Sequence, residues 1–179
     1  MSDLTIRPAL MGDLQVCLEF DASYTTDYVW QMDSRLANGA ISVAFHHVRL
    51  PRSMRVAYPR DAEALLADWR LRDVILVAER QRTRHGFISL SALPAQRVAQ
   101  IGDMVVSRPE RRQGVGSALI GAALRWARER SLKQVVIEVQ TKNHPAISLL
   151  NKLGFSFCGF NDRHYFNQDI ALFFSRAVR

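Results

Sequence analysis

From Asp103 the chain reads Asp-Met-Val-Val-Ser-Arg-Pro-Glu-Arg-Arg-Gln-Gly-Val-Gly-Ser, ending at Ser117. An apolar strand runs into a turn, and Gly114 and Gly116 lead directly into a helical pattern. Such a turn suits an anion. The first amides of a helix have no internal partner, point one way and sit at the positive end of the helix dipole. Glycine lets backbone approach a phosphate with no Cβ in the way, and Arg111 and Arg112 add positive charge. Two other phosphate signatures are excluded. A dinucleotide fingerprint needs a third glycine where Leu119 stands, and no Gly-Lys-Ser/Thr follows as a nucleotide P-loop requires.

Other chemistries find less support. His46 and His47 are adjacent on a strand-like run, so they face opposite sides and cannot chelate together. Cys17 and Cys158 are too few for a zinc cluster or a disulfide framework, and both read as core. No metal is expected. There is no Ser-His-Asp order and no nucleophile elbow.

The elements around the turn are regular. Val74–Glu79, Gly86–Leu93 and Val98–Val106 read as three antiparallel strands, and Val115–Arg130 as a helix with Val115, Ala118, Leu119, Ala122 and Trp126 on one apolar stripe. Val135–Val139 is short and β-branched, hence a buried strand. Pro145–Leu153 is a helix, with Asn143 or His144 at its cap and Gly154 just beyond its end. Phe155–Phe160 and Ile170–Ser175 close the pattern as strands. Upstream, Leu4–Arg7 is a strand, Gly12–Phe20 a short helix, and Asp61–Arg70 another. Thr26–Arg35 and Ala40–Leu50 flank Asn38-Gly39, a strong hairpin signal. The segment 49–60 reads as an exposed connection whose Arg49, Arg52, Arg55 and Arg60 either are solvated or line an acceptor groove.

A chain of 179 residues with 48% hydrophobic and 23% charged residues is the size and composition of one domain, here spanning 1–179. No apolar run approaches the roughly 20 residues that span a bilayer. The start, Met-Ser-Asp-Leu-Thr-Ile-Arg, lacks the layout of a secretory signal. The expectation is a soluble, cytoplasmic protein with no membrane partner; a homodimer is the simplest assembly left open. The net charge is +7, and Lys133, Lys142 and Lys152 are the only lysines among 24 basic residues. A basic surface attracts polyanions, but no element interleaves Arg or Lys with aromatics, so nucleic acid is not an expected partner.

Arg111-x-x-Gly114-x-Gly116, after its apolar strand, resembles the acetyl-CoA pyrophosphate loop of the GNAT superfamily of N-acetyltransferases. The second motif of that family follows in order: Val135-Val136-Ile137-Glu138-Val139, then Asn143-x-x-Ala146-Ile147-x-Leu149, then Lys152-x-Gly154-Phe155. The resemblance covers Val74 to Ser175. Within the superfamily, Ile137–Thr141 and Asn167–Ser175 are similar to streptothricin acetyltransferases.

The resemblance implies an α/β fold with a splayed, mixed, mostly antiparallel sheet flanked by helices. Acetyl-CoA would bind between Val98–Val106 and Val135–Val139. Its pantetheine would pair with backbone at Met104, Val105 and Val106, and its pyrophosphate would meet Arg111, Arg112, Gln113, Gly114, Val115, Gly116 and Ser117. Asn143 would bind the cofactor or cap its helix, and Ala146 and Leu150 would line the thiol end. The implied reaction is direct acyl transfer to a primary amine of a small molecule or a protein N-terminus. It needs a neutral amine, an oxyanion donor and a proton for the thiolate. Glu138 is the first candidate base and Asp103 the second, although either could instead pair with an arginine or bind the amine. The backbone N–H of Val105 is the expected oxyanion donor. One departure stands out: Leu150 occupies the place where the family usually carries a tyrosine acid. Tyr165, Ser148 or a water would replace it, and a non-catalytic acyl-CoA-binding or sensing domain is the alternative reading.

Overall fold

The structure is a computed structural model describing residues 4–178. Its elements run β1 (Thr5–Pro8), α1 (Met11–Leu18), β2 (Tyr24–Ala37), β3 (Ala40–Val56), α2 (Ala62–Trp69), β4 (Val74–Arg80), β5 (Thr83–Leu93), β6 (Val98–Val106), α3 (Val115–Glu129), β7 (Gln134–Gln140), α4 (His144–Lys152), β8 (Ser156–Asn161) and β9 (Ala171–Ala177). Seven strands form one sheet in the order β1-β4-β5-β6-β7-β9-β8, and β2 pairs with β3 in a separate ribbon. Among the described residues only β6 and β7 pair in parallel, so the expected mixed, mostly antiparallel sheet is the one observed.

Strand alternation assigns the two faces. Leu76, Ala78, Ile88, Leu90, Ala99, Ile101, Val135 and Ile137 point toward α3 and α4 and form the main core with Leu119, Ile120, Trp126, Ile147 and Leu150. The intervening residues Ile75, Val77, Phe87 and Val105 face the other way and pack with Cys17 of α1 and Trp69 of α2. Burial pushes the Cys17 thiol up to about 12. Cys158, expected in the core, is instead exposed, because β8 is an edge strand with few covered positions.

The sheet opens at one point. β6 and β7 are paired only over Val98–Ile101 and Gln134–Ile137. The next two residues of β6, Gly102 and Asp103, lie opposite the single residue Ser89 of β5, a β-bulge in which the Asp103 amide donates to Ser89 Oγ at 2.8 Å. A bulge bends its strand and raises the local twist. β6 therefore turns away from β7 where the parallel pairing ends, leaving a cleft.

The β2–β3 ribbon turns at Asn38 and Gly39, both at positive φ (50° and 75°), as a two-residue primed turn requires. The ribbon outruns its expected ends. Pairing extends to Tyr24 and Val56, and segment 50–53 with Pro51 bulges opposite Asp27, so what read as a connection is largely strand. The ribbon is tied to the rim of the cleft by the Trp30 amide donating to the Thr141 carbonyl at 3.0 Å and by Tyr24 Oη donating to Gln140 Oε1 at 2.9 Å. No described helix is long and apolar enough to cross a membrane.

Candidate active site

The cleft between the parted strands is lined by Tyr58, Pro59 and Arg60 from the segment before α2, Gly102 and Met104 of β6, Ile137–Gln140 of β7, Asn143 and Ala146 at the start of α4, and Tyr165. At one end lies the turn into α3. Gly114 adopts φ +88° and Arg112 φ +67°. Among the described residues, none of the amides from Arg112 to Ser117 donates to a protein acceptor. That leaves a run of unpaired N–H groups at a helix N-terminus, the arrangement that holds a phosphate. Gly116 lets α3 approach α4 closely: a Cβ there would lie 3.1 Å from Leu149 Cδ2, so that side chain would have to give.

The two arginines of the turn divide. Arg111 does not turn its guanidinium to the cradle; it donates to the carbonyls of Val106 (3.0 Å), Ser23 (2.6 Å) and Asp21, clamping the α1–β2 connection to the end of β6. Arg112 is exposed beside the free amides. Gln113 folds back onto the Pro109 carbonyl at 2.9 Å.

The bulge reverses one expectation. The amides of Asp103 and Ser107 both point to β5, the latter donating to His85 O at 2.8 Å. By alternation the backbone of Val105 also faces β5, and its side chain lies in the core beneath. Val105 therefore offers nothing to the cleft, neither for pantetheine pairing nor for an oxyanion. Met104 and Val106 turn their N–H groups to the gap instead. Asn143 caps α4, its Oδ1 accepting from the Ala146 amide at 3.2 Å, while the residue also lines the cleft. Ala146 lines the cleft as expected. Leu150 does not: it is 1% exposed and buried among core side chains.

Both expected carboxylates come together through Arg60, which of the two alternatives for its segment takes the one that lines the cleft. Arg60 donates to Asp103 Oδ2 at 2.8 Å and to Glu138 Oε1 at 2.9 Å, spanning the splay on the face opposite α3. Asp103 is 3% exposed and also accepts from Tyr58 Oη at 2.6 Å. Burial pushes its carboxyl above the usual range, with Arg60 opposing. It sits behind the cleft wall, outside the lining set. Glu138 does line the cleft, and its second oxygen, Oε2, lies 3.0 Å from His164 Nε2. Tyr165 is buried against the same cleft, and its hydroxyl has no hydrogen-bond partner among the described residues, unlike those of Tyr24 and Tyr58. Burial and the nearby Glu138 carboxylate push that phenol upward, so it keeps its proton at neutral pH. Ser148, a substitute acid in sequence terms, bonds His144 Nε2 at 3.2 Å instead.

A family model, described as the Acetyltransferase (GNAT) family, matches residues 42–155, well over half of the chain. The chain belongs to the GNAT family. Across 92% of its length, and 87% of the relative's, it is 27% identical to the streptothricin acetyltransferase of Streptomyces lavendulae. Among solved structures it superposes on nourseothricin acetyltransferase with a TM-score of 0.84 at 26% identity, covering 98% of this chain and 99% of the other. A Bacillus anthracis protein described as a streptothricin acetyltransferase, crystallised with acetyl coenzyme A, superposes with a TM-score of 0.76 at 25% identity over 98% and 99% of the two chains. Acetyl-CoA is thus the co-substrate of this GNAT N-acetyltransferase. The free amides at the start of α3, the missing Cβ at Gly116 and the gap-facing N–H groups of β6 fit it.

Proposed function

We propose that this enzyme acetylates a primary amine of a small molecule, with Glu138 as the base. The observation that carries the reading is the position of Glu138: on β7 where the strands part, lining the cleft, 8% exposed, and turned to the face away from the pyrophosphate turn. Full-length relatives named for streptothricin and nourseothricin support a small-molecule acceptor.

Acetyl-CoA supplies the activated acetyl thioester. The amides from Arg112 to Ser117 bind its diphosphate, and the Val106 N–H extends the β6 edge to its pantetheine arm. Asn143 and Ala146 bound the thiol end. A Glu138 carboxylate oxygen takes a proton from the acceptor ammonium, leaving a neutral nucleophile. The Met104 N–H stabilises negative charge on the thioester oxygen. As the C–N bond forms and the C–S bond breaks, the Tyr165 hydroxyl gives its proton to the departing thiolate and takes back the second proton lost by the nitrogen, the role that Leu150 cannot fill. Asp103 acts one step back, holding Tyr58 and Arg60. We place the whole activity in a single domain, working in the cytoplasm.

The test is thiol release from acetyl-CoA by the purified protein with nourseothricin and a panel of small amines. Acceptor-dependent release, with a mass gain of one acetyl group on the amine, is expected. Binding of acetyl-CoA without release for any amine would overturn the reading and support an acyl-CoA-sensing domain instead.

A further inference from the structure

The Glu138 carboxylate is met on one side by a side chain that plays no part in the scheme above. His164, in the β8–β9 connection, places Nε2 3.0 Å from Glu138 Oε2, and its other nitrogen, Nδ1, lies 3.1 Å from Nδ2 of Asn161. The ring stands edge-on to Tyr165 (5.0 Å, 89°) and Phe173 (5.8 Å, 86°), and the His164 amide is held by the Asp169 carbonyl at 3.1 Å. An amide nitrogen can only donate. The Glu138 carboxylate can only accept, which places a ring proton on Nε2, and Nδ1 then faces Asn161 Nδ2 as an acceptor.

We propose that Asn161 and His164 form a positioning chain for the base: Asn161 orients the imidazole in its Nε2–H tautomer, and His164 fixes the Glu138 carboxylate by donating to Oε2. This rests on Glu138 being the base. Arg60 holds Oε1, so the two donors set the plane of the carboxylate and direct its remaining lone pairs into the cleft. The charged and titratable groups facing this pair are Arg60, Asp103 through Arg60, and Tyr58 and Tyr165; Asp169 is occupied by Gln140 and Lys142.

Two substitutions should move the pH profile in opposite directions. A donor to the ionised carboxylate favours its charged form, so His164→Ala shifts the acidic limb of kcat/KM to higher pH. Asn161→Asp gives Nδ1 a carboxylate partner and favours the imidazolium, which favours the Glu138 anion further and shifts that limb to lower pH. Each lowers kcat by about tenfold with the KM for acetyl-CoA unchanged, and His164→Gln, which keeps a donor, recovers part of the loss. Nitrogen-15 NMR of the wild-type protein at neutral pH, with His164 assigned from the His164→Gln spectrum, reads the tautomer without turnover. A protonated Nε2 and bare Nδ1 are expected. A protonated Nδ1, or limbs that stay fixed or move together, would overturn the positioning chain. Glu138→Gln separates the two readings: full activity in that variant means Glu138 is not the base, whereas its loss together with unmoved limbs rejects only the Asn161–His164 chain.

Discussion

Two clusters of buried carboxylate and arginine, one at the start of α1 and one where β6 and β7 part, serve different ends. At the start of α1, Asp13 is 0% exposed and receives Arg7 on both oxygens (2.6 and 3.1 Å), Arg84 at 2.6 Å and the Leu10 amide at 2.7 Å. Hydrogen bonding from Arg7 holds its carboxyl well below the usual range. Every acceptor position is used, and Asp13 is not among the residues lining the cleft between β6 and β7. Around Arg60 the same ingredients are distributed differently: one guanidinium is shared by Asp103, Glu138 and, at 3.5 Å, Asp68, and Glu138 keeps a side toward open space. Saturation makes an anchor; a carboxylate with unused lone pairs facing a cavity is available for proton transfer.

The contrast can be broken by exchange of amides for acids. Glu138→Gln lowers kcat/KM by about 100-fold or more with little change in Tm, measured by thiol release and thermal melting. Asp13→Asn does the reverse: it leaves two arginines short of a buried partner and costs about 3 kcal/mol of stability, read from denaturant unfolding, while kcat/KM at low temperature is retained. Tyr165→Phe reduces kcat by about tenfold, with the KM for acetyl-CoA unchanged. A finer test uses acid. Asp13, whose folded carboxyl is depressed, contributes stability that is present above about pH 4 and lost as pH falls below it. Asp103, whose folded carboxyl is raised, contributes in the opposite sense, its share being present at low pH and lost as pH rises through the folded value. In urea titrations below pH 5, Asp13→Asn should therefore flatten the acid decline of stability and Asp103→Asn should steepen it.

What could be read from the sequence was what short-range geometry dictates. Gly114 and Gly116 mark a backbone that must turn and then approach a ligand, Asn38-Gly39 a primed turn, and Asn143-His144-Pro145 a helix start; each is decided within a few residues. Glu138 was legible because strand and motif fix its place. Arg60 was not, since it reaches a carboxylate 78 residues away and nothing local distinguishes it from Arg49, Arg52 or Arg55. His164 and Asn161 carry no motif, and only the packing of β8 against β9 brings them to β7. Leu150 and Val105 were misplaced for related reasons. A helical residue's face depends on what the helix leans against, and the bulge at Gly102-Asp103 changes the parity of every residue after it in β6.

That bulge has a further consequence for how the enzyme tolerates change. A chain shortened by one residue at Gly102 would restore one-for-one matching with β5, straighten β6 and let it zip to β7 along its full length, erasing the binding slot without removing any functional side chain. The opening is stored in a residue count rather than in side-chain volume. Point substitutions along the slot can therefore retune what it accepts, while a single deletion would close it.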